Sequence, residues 1–396
     1  MNIKPFDKRI WLSSPTMHGD EIEYMREAYE TNWMTTVGEN INRVEELSAQ
    51  LTGTEFAVAL SSGTAALHLA LKAAGVKSGD RVFCQDLTFA ASANPILYED
   101  AEPIFIDSES YSWNMDPEAL LLATELYPDV RAAVVVNLYG SPAKWNEILK
   151  ICSDKGITVI EDAAESLGAS YNGKLTGSFG KYNVISFNGN KIITGSSGGA
   201  LVTDCSEGAE RARKQSTQSR ENAPWYQHAE IGYNYRMSNV VAGVVRGQMN
   251  YLDDHIARKK AIYERYENGL KSLPVRMNPF IDGAMPNYWL SCVTVNSDAM
   301  CRQNRDDISA SYVSEKGKSC PTEILEKLAE LNVEGRPIWK PLHLQPVFAD
   351  CRFVSALPDK PVSEDIFERG LCLPSDIKMT EAEQDIIIEI IKECFK

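Results

Sequence analysis

The fold is decided between residues 131 and 164, in the segments RAAVVVNLYG (131–140), NEILKICSDKG (146–156) and ITVIEDAA (157–164). The first and third segments are short apolar runs, as expected of buried strands. The middle segment repeats its apolar residues every three to four positions, which is the period of a helix. A strand, a helix and a second strand in this order predict the βαβ unit of a parallel sheet.

The same alternation extends towards both ends of the chain. Apolar runs at FAVAL (56–60), RVFCQ (81–85) and EPIFIDS (102–108) alternate with helical patterns at 61–76, 91–99 and 116–126. NVISFNGN (183–190) and GGALVT (198–203) predict two more strands separated by a short turn. The chain is therefore predicted to be an α/β protein whose mostly parallel, mixed sheet is flanked by helices on both faces.

The pattern changes after Tyr251. A long helix with mixed charges is predicted at 252–273, followed by a strand at 289–295, a helix at 319–333, a Pro-rich loop at 336–348 and a terminal helix at 380–396. We expect two domains: residues 1–250 form a large domain with an N-terminal arm, and residues 251–396 form a smaller α+β domain.

Composition excludes several classes of protein. The 396 residues carry a formal net charge of −15, which disfavours nucleic acid as a partner. No apolar run reaches the roughly 18 residues of a membrane span, and the N-terminus lacks the apolar core of a signal peptide. The nine cysteines form no CxxC pair, so free thiols are expected and no metal site is predicted. These features favour a cytoplasmic location with neither a membrane nor a nucleic-acid partner.

Four features at predicted strand ends suggest a ligand site. Lys191 follows SFNGN (186–190), although a lysine among Asn and Gly is more often a surface turn. Asp162 ends a strand and could pair with a protonated pyridine nitrogen or could cap the next helix. The turn 61–64 opens a helix and could bind phosphate or merely cap the helix. Phe89 could stack on a planar ring or belong to the core.

Together these segments resemble a known family. SFNGNK (186–191), VIEDAAESLGA (159–169) and the downstream glycines 198 and 199 are similar to the pyridoxal phosphate (PLP)-dependent sugar aminotransferases of the DegT/DnrJ/EryC1/StrS family. Further similar segments lie along the chain at 12–33, 61–71, 104–117, 135–143, 232–239, 341–348 and 368–375. The order of many independent motifs makes this resemblance far more specific than one short motif.

The resemblance implies a fold-type I aminotransferase that works as a homodimer with shared active sites. It assigns Lys191 as the catalytic Schiff-base lysine and Asp162 as the partner of the pyridine nitrogen. The remaining cofactor-binding residues that it implies are Phe89 against the ring, Gly63, Thr64 and Ser186 at the phosphate, and Asn234 reaching the phosphate from the partner subunit. Glu165 belongs to the cofactor site too, and it stands where many relatives have glutamine. Arg236 is a candidate for contact with a substrate carboxylate or for a role in the interface.

The implied reaction moves an amino group from L-glutamate to a keto-sugar nucleotide. Relatives with histidine at the lysine position are dehydratases, so Lys191 favours transamination. Similarity at 12–33 and 339–348 favours a UDP-linked 4-keto-6-deoxy-N-acetylhexosamine, and Trp339 and His343 become candidate sugar-nucleotide contacts. His343 and Trp339 could equally belong to a structural loop. A GDP- or dTDP-linked 3- or 4-keto sugar is the alternative substrate, and a non-catalytic PLP-binding sensor is a remote alternative.

Overall fold

The computed structural model describes residues 4–396. The α-helices of this range are α1 (Asp20–Glu30), α2 (Glu39–Thr52), α3 (Gly63–Ala73), α4 (Asn94–Tyr98), α5 (Pro117–Leu126), α6 (Trp145–Lys155), α7 (Ser206–Gln215), α8 (Asn239–Met249), α9 (Leu252–Leu270), α10 (Pro321–Glu330), α11 (Val362–Arg369) and α12 (Glu381–Glu393).

The strands are β1 (Phe56–Leu60), β2 (Arg81–Gln85), β3 (Glu102–Ile106), β4 (Ala132–Val136), β5 (Thr158–Asp162), β6 (Ser170–Tyr171), β7 (Lys174–Leu175), β8 (Tyr182–Ser186), β9 (Gly199–Thr203), β10 (Val275–Met277), β11 (Ala284–Met285), β12 (Ser291–Val295), β13 (Arg302–Arg305), β14 (Ala310–Val313), β15 (Arg336–Pro337), β16 (Arg352–Val354) and β17 (Gly370–Leu373).

An eight-stranded sheet organises the chain, in the order β1-β9-β8-β5-β4-β2-β3-β16. All neighbouring pairs from β8 to β16 are parallel, whereas β9 pairs antiparallel with both β1 and β8. The prediction of a mostly parallel, mixed sheet is therefore confirmed. Its central strands are buried along almost their whole length because helices cover both faces. The carboxyl ends of β4, β5 and β8 consequently lie together at one edge.

A second, antiparallel sheet has the order β10-β12-β17-β15 and draws its strands from residues 275–373. Helices α9, α10 and α12 pack against it around a separate apolar core that includes Tyr266, Val293 and Ile387. Two smaller β units, β11-β6-β7 and the hairpin β13-β14, lie outside both main sheets. No helix among residues 4–396 is long and apolar enough to cross a bilayer.

The division of the chain at residue 250 stays a prediction, and two segments cross that division in space. Strand β16 pairs with β3 at the edge of the large sheet, although it lies in the C-terminal part of the sequence. The N-terminal arm runs the other way: Ile10 bridges to Val333, and the Ser375 N–H donates to the Leu12 carbonyl at 2.7 Å. These exchanges hold the two sheets against each other.

Lys259 on α9 lies where the arm, the start of β12 and the end of β17 meet. Its buried ammonium donates to the carbonyls of Trp289 and Ser375, each at 2.9 Å, and reaches Ser13 Oγ at 3.4 Å. Burial lowers the pKa of Lys259 from 10.5 to about 8, although the charge of Asp376 opposes this effect. The folded protein therefore releases this proton at a lower pH than the unfolded chain does.

We expect the free energy of unfolding to depend on pH through Lys259. Between pH 8 and 10.5 the unfolded chain holds the proton that the folded state has lost, so stability rises with pH across this window. The rise is on the order of 3 kcal/mol at most, from the free energy per pKa unit. Urea unfolding across this window should show the rise in the wild type and lose it in Lys259→Met. Lys260→Met, which changes an exposed neighbour on the same helix, should keep the wild-type dependence. An identical rise in Lys259→Met would contradict this assignment.

Candidate active site

A cavity of about 290 Å³ opens at the carboxyl edge of the large sheet, where β4, β5 and β8 end and α3 begins. Ligands of α/β sheets bind at this edge because loops and helix N-termini converge there. We call this cavity the cleft. Its lining residues are Ser62, Gly63, Thr64, Leu67, Thr88, Phe89, Ala91, Ser92, Val136, Asp162, Ala164, Glu165, Ser186, Asn188, Asn190, Lys191, Ser197, Gly198, Trp289 and Trp339.

Asp162, the last residue of β5, is 4% exposed at the base of the cleft. Its two carboxylate oxygens accept hydrogen bonds from Ser92 Oγ at 2.7 Å and from the Ala164 N–H at 3.1 Å. Burial raises the pKa of Asp162, and these hydrogen bonds with the charge of Lys191 offset part of that rise. The carboxylate is thus held in a fixed orientation and would gain from a cationic partner inside the cleft.

Lys191 reaches into the cleft from the segment that follows β8. Its Nζ lies 3.5 Å from Glu165 Oε1 and 4.2 Å from the centre of the Trp289 ring. The other Glu165 oxygen accepts the Tyr139 N–H at 2.7 Å. Burial raises the pKa of Glu165, and the charge of Lys191 lowers it in part. The amine therefore faces a carboxylate on one side and the face of an aromatic ring on the other.

The turn before α3 offers free N–H groups to the cleft. Ser62 is the N-cap residue, and its hydroxyl accepts the Ala65 N–H at 3.0 Å. A β-carbon on Gly63 would lie 3.1 Å from Ser186 Cβ and 3.3 Å from Ser186 Oγ, so a side chain there would fill the space above the helix end. Capping and anion binding are therefore compatible here, since the cap leaves other N–H groups of the first turn free.

Aromatic rings form the remaining walls of the cleft. Phe89 is 53% exposed, and its ring centre lies 5.2 Å from that of Trp339. Tyr139, which has a left-handed backbone with φ of 52°, accepts the Trp339 N–H on its hydroxyl at 3.0 Å. The Trp289 indole N–H donates to the Asn190 carbonyl at 2.8 Å. These contacts fix Trp289 and Trp339 relative to Lys191.

Nine of the residues predicted for the site line the cleft: Lys191, Asp162, Glu165, Phe89, Gly63, Thr64, Ser186 and Trp339 from the sequence motifs, together with Ser62 of the predicted turn. Asn234 lies outside the cleft with an exposed side chain, in a segment that bridges to Thr217. Its predicted contact with a cofactor in a partner subunit stays a prediction.

Arg236 does not line the cleft. Its guanidinium contacts Glu45 Oε1 at 2.7 Å and the Ala59 carbonyl at 3.1 Å. Burial opposes ionisation of Glu45, but the hydrogen bond from Arg213 and the charge of Arg236 outweigh it and lower the Glu45 pKa. In this arrangement Arg236 holds β1 and α2 together, and its contact with a substrate carboxylate stays a prediction.

His343 does not line the cleft. Its Nδ1 lies 2.8 Å from Asp86, its Nε2 lies 3.2 Å from Glu364, and its ring stacks on Phe353 at 3.9 Å. Burial disfavours the protonated ring, but the hydrogen bond and charge of Asp86 outweigh this effect and raise the His343 pKa. Both ring nitrogens are already engaged by carboxylates, and the predicted contact of His343 with a sugar nucleotide stays a prediction.

Sequence reasoning missed three contributors. Trp289 was predicted only as the start of a strand, Ser92 only as part of a helix, and Tyr139 only as part of a strand segment and a family-like motif. Each one acts on a residue distant in sequence: Trp289 on Lys191, Ser92 on Asp162, and Tyr139 on both Glu165 and Trp339. No local pattern reveals such pairings.

The cleft combines the groups that PLP requires. It offers the amine of Lys191, the buried carboxylate of Asp162, the N-terminus of α3 at Gly63 and the exposed ring of Phe89. Lys191 is the one cation near Asp162 in the cleft. A planar, phosphate-bearing pyridine could satisfy each of them. Among residues 4–396 there is no group of three or more His, Cys, Asp or Glu side chains placed to hold a metal ion.

Comparison with known proteins agrees with this chemistry. Residues 15–392 match the model of the DegT/DnrJ/EryC1/StrS aminotransferase family. EpsN of Bacillus subtilis (strain 168), provisionally assigned as a pyridoxal phosphate-dependent aminotransferase, is 46% identical over 98% of this chain and 96% of its own. GDP-perosamine synthase of Escherichia coli O157:H7 is 31% identical over 98% of this chain and 99% of its own.

A solved structure supports the same conclusion. The crystal structure of a DegT/DnrJ/EryC1/StrS aminotransferase from Brucella abortus is 26% identical, covers 95% of each chain and superposes with a TM-score of 0.83. The family match extends over nearly the whole chain, and the cleft contains the amine and carboxylate that the cofactor needs. The chain therefore belongs to the DegT/DnrJ/EryC1/StrS aminotransferase family and is a pyridoxal phosphate-dependent aminotransferase.

Proposed function

We propose that this enzyme transfers the amino group of L-glutamate to a keto-sugar nucleotide, with Lys191 as the lysine that carries the cofactor. The observation that carries the proposal is the meeting of Lys191, Asp162 and the Gly63 turn in one cleft, although they are far apart in sequence. An amine, a carboxylate and an anion-binding helix end at one edge are the groups that hold the two ends of PLP.

Each part of the cofactor has a proposed partner. Asp162 pairs with the protonated ring nitrogen, because its buried carboxylate lies at the base of the cleft in a fixed orientation. Gly63 and Thr64 offer backbone N–H groups to the phosphate, and the Ser186 hydroxyl lies beside them. Phe89 covers one face of the ring. Asn234 comes from the partner subunit of a homodimer, since it is exposed outside its own cleft.

The chemistry divides between the cofactor and the chain. PLP, when bound, supplies an electron sink that stabilises negative charge at the carbon bearing the amine. Lys191 is the base that removes the proton from that carbon of the amino donor and the acid that returns it. Trp289 and Trp339 limit the entry of water around the Lys191 amine. Asp162 keeps the ring nitrogen of PLP protonated throughout, because a buried carboxylate without a cationic partner is unfavourable in free energy.

For the sugar we propose a UDP-linked 4-keto-6-deoxy-N-acetylhexosamine, which gives an amino sugar for surface glycans. Residues 12–33 and 339–348 carry the resemblance that supports this substrate. In the fold these segments lie near Lys191: the Ser13 hydroxyl donates to the Asn190 carbonyl at 3.1 Å, and Trp339 lines the cleft. Both segments are therefore in position to influence which sugar fits.

A GDP-linked keto sugar is the second candidate. Two relatives support it, the GDP-perosamine synthases of E. coli O157:H7 and Caulobacter vibrioides, which are 31% and 32% identical over nearly the whole chain. Both candidates place the keto sugar against the same amine, so they differ only in the outer part of the site.

We expect the spectrum of the purified protein to test the cofactor, its lysine and the donor together. The wild type with PLP should show a visible absorbance band that L-glutamate shifts to shorter wavelength. Lys191→Ala should lack the band and lose about 10³-fold in turnover, because the general base is gone. Lys174→Ala, an exposed lysine on β7, is the matched control and should behave as the wild type. A glutamate-sensitive band that persists in Lys191→Ala would contradict the assignment.

A substrate panel separates the two sugar candidates. With ¹⁵N-labelled L-glutamate, we expect the label to appear in a UDP-linked amino sugar with a kcat/KM at least about tenfold above that for GDP- or dTDP-linked keto sugars. Loss of contacts to the preferred base accounts for a difference of this size. Mass spectrometry identifies the product. Preference for the GDP sugar would favour the second candidate, and labelling of no keto sugar would refute both.

His343→Ala should act on the sugar half-reaction through Trp339. The substitution removes the ring's contact with Asp86 and leaves only the backbone N–H groups of Leu342 and His343 to hold this segment. We therefore expect KM for the keto sugar to rise about tenfold, near the range of a charged hydrogen bond. The single-turnover rate with L-glutamate should change less than twofold, which corresponds to roughly the free energy of one exposed ion pair. Glu364→Gln, which removes only the more exposed contact, is the control and should have little effect. Equal losses of activity in both half-reactions would refute a role of His343 at the sugar.

A further inference from the structure

Two histidines outside the cleft face each other where the N-terminal arm meets α9. His18 lies at the end of the arm, just before α1, and His255 lies in the first turn of α9. Their Nε2 atoms are 2.8 Å apart, which is a hydrogen-bond distance. His255 is 3% exposed and His18 is half-buried, so water does not readily replace either partner. One of the two rings must therefore donate a hydrogen that the other accepts.

The second ring nitrogen of His255 decides which ring donates. His255 Nδ1 lies 2.8 Å from the carbonyl oxygen of Ile192, and a carbonyl only accepts, so Nδ1 carries a hydrogen. A neutral imidazole has a single N–H, so Nε2 of His255 accepts the N–H of His18 Nε2. A continuous chain of hydrogen bonds thus runs from the arm, through α9, to the residue that follows Lys191.

His18 fastens a stretch of the arm that lies against the segment carrying Lys191. Its ring stacks on that of Tyr251, with the ring centres 3.7 Å apart. At the other end of the stretch, the Ser13 hydroxyl donates to the carbonyl of Asn190 at 3.1 Å. The arm, Lys191 and the buried histidine also line one small cavity of about 10 Å³. The order of the Lys191 segment therefore depends in part on how the arm is held.

The histidine pair is the contact of this stretch that responds to acid. Histidine gains its second proton between about pH 5 and 8, whereas hydroxyl and carbonyl groups do not titrate there. A proton on His18 Nδ1 leaves the link intact, because Nε2 still donates. A proton on His255 Nε2 breaks the link, because two N–H groups then face each other with no acceptor between them. Acid therefore acts on this contact at one atom, Nε2 of His255.

The surroundings of His255 keep its ring neutral. Burial is the largest effect and lowers the pKa of His255 below its ordinary value of 6.5, and the charges of His18 and Lys259 act in the same direction. The carbonyl of Ile192 and the charge of Asp254 oppose them. The other titratable groups around the pair are Asp20, Glu21, Tyr24, Tyr251 and Lys191. Since the closed form has the lower pKa, closure is fully favoured above about pH 6.5 and weakens as the pH falls below that value.

We propose that His18 and His255 form a pH-sensitive latch, the histidine latch, which fastens the N-terminal arm to the Lys191 segment while His255 is neutral and releases the arm when His255 is protonated. In the opening step the lone pair of His255 Nε2 forms an N–H bond with a proton from solvent, and no other covalent bond changes. The segment that carries Lys191 consequently loses one support in acid. The histidine latch involves neither the amino donor nor the sugar, so it goes beyond the proposed function and does not depend on it.

Hydrogen exchange measured by mass spectrometry tests the histidine latch in the full-length protein with PLP. Protection factors remove the intrinsic pH dependence of exchange. Between about pH 8 and 5, the range of histidine titration, peptides covering residues 12–19 and 187–195 should lose protection about tenfold, near the effect of one charged hydrogen bond. Helix α12, which belongs to the separate apolar core of the second sheet, is the internal reference and should keep its protection.

Three variants separate the histidine latch from general effects of acid. His18→Ala removes the link from the arm side, so residues 12–19 should exchange fast across the whole pH range. His18→Gln should keep the arm protected throughout, because an amide can donate to the neutral ring of His255 or accept from the protonated one. His228→Gln changes an exposed histidine elsewhere and is the matched control, which should behave as the wild type.

Nuclear magnetic resonance of the histidine rings shows whether the proton itself opens the histidine latch. The chain has 5 histidines, so ¹⁵N-labelled histidine gives a small set of ring signals. In the wild type, arm protection should fall at the pH where His255 titrates. In His18→Ala, His255 should titrate at a higher pH, because a neighbouring positive charge and part of the burial are gone. A merely structural pair would show no such coincidence.

Four results would overturn the histidine latch. They are arm protection that is independent of pH in the wild type, an acid-induced loss that persists in His18→Ala or His18→Gln, a loss at a pH where His255 does not titrate, and an equal loss in α12. Each of them leaves transamination and its substrate unaffected. Conversely, a protein that binds PLP but aminates no keto sugar would refute the proposed substrate and leave the histidine latch standing.

Discussion

The close approach of Gly199 to the Ser62–Gly63 peptide is the constraint on which the cleft depends. A β-carbon at residue 199 would lie 2.5 Å from the Gly63 nitrogen and 2.8 Å from the Ile185 carbonyl oxygen, so only glycine fits between β1 and β8. Strand β9 pairs antiparallel with both β1 and β8, and its first residue lies immediately beside the start of α3. The segment that carries Lys191 must close between β8 and β9, and Lys191 therefore lines the same cleft as the turn before α3.

The charge balance of the cleft follows from that placement. The cleft holds two buried carboxylates against one ammonium, so it is short of positive charge until a cation joins it. The proposed pyridinium would give Asp162 a cationic partner, and Glu165 would remain the carboxylate beside Lys191. An ion pair of Asp162 with a cation, or of Lys191 with Glu165, would be weak in water. Burial makes an unpaired charge unfavourable, so each carboxylate gains from a cation beside it. The same burial raises the pKa of Glu165, and the charge of Lys191 lowers it in part.

The sheet and most of the cleft could be predicted because they depend on local pattern. Apolar strands, helical periods and turn residues repeat within short windows, and the carboxyl ends of parallel strands necessarily share one edge. Pattern predicted that Asp162 and the Gly63 turn lie at this edge, the resemblance added Lys191, and all three line the cleft. Trp289 could not be located, because its contact with Lys191 depends on how the second sheet packs against the first. The residues next to Trp289 in the sequence do not indicate that packing.

His343 is a second residue whose contacts could not be predicted from the sequence. The family resemblance made His343 a candidate sugar contact, which stays a prediction, and no local pattern indicated that its ring contacts Asp86 after β2. An aspartate after the neighbouring strand makes a similar contact with the C-terminal part of the chain. Asp107, after β3, accepts the N–H groups of Val362 and Ser363 at the start of α11. Along this edge of the sheet, Asp86 after β2 and Asp107 after β3 bind the C-terminal part of the chain, while the segments after β2, β4, β5 and β8 contribute to the cleft. Because the bound segment also carries Trp339 into the cleft, docking of the C-terminal part and the shape of the active site cannot vary independently.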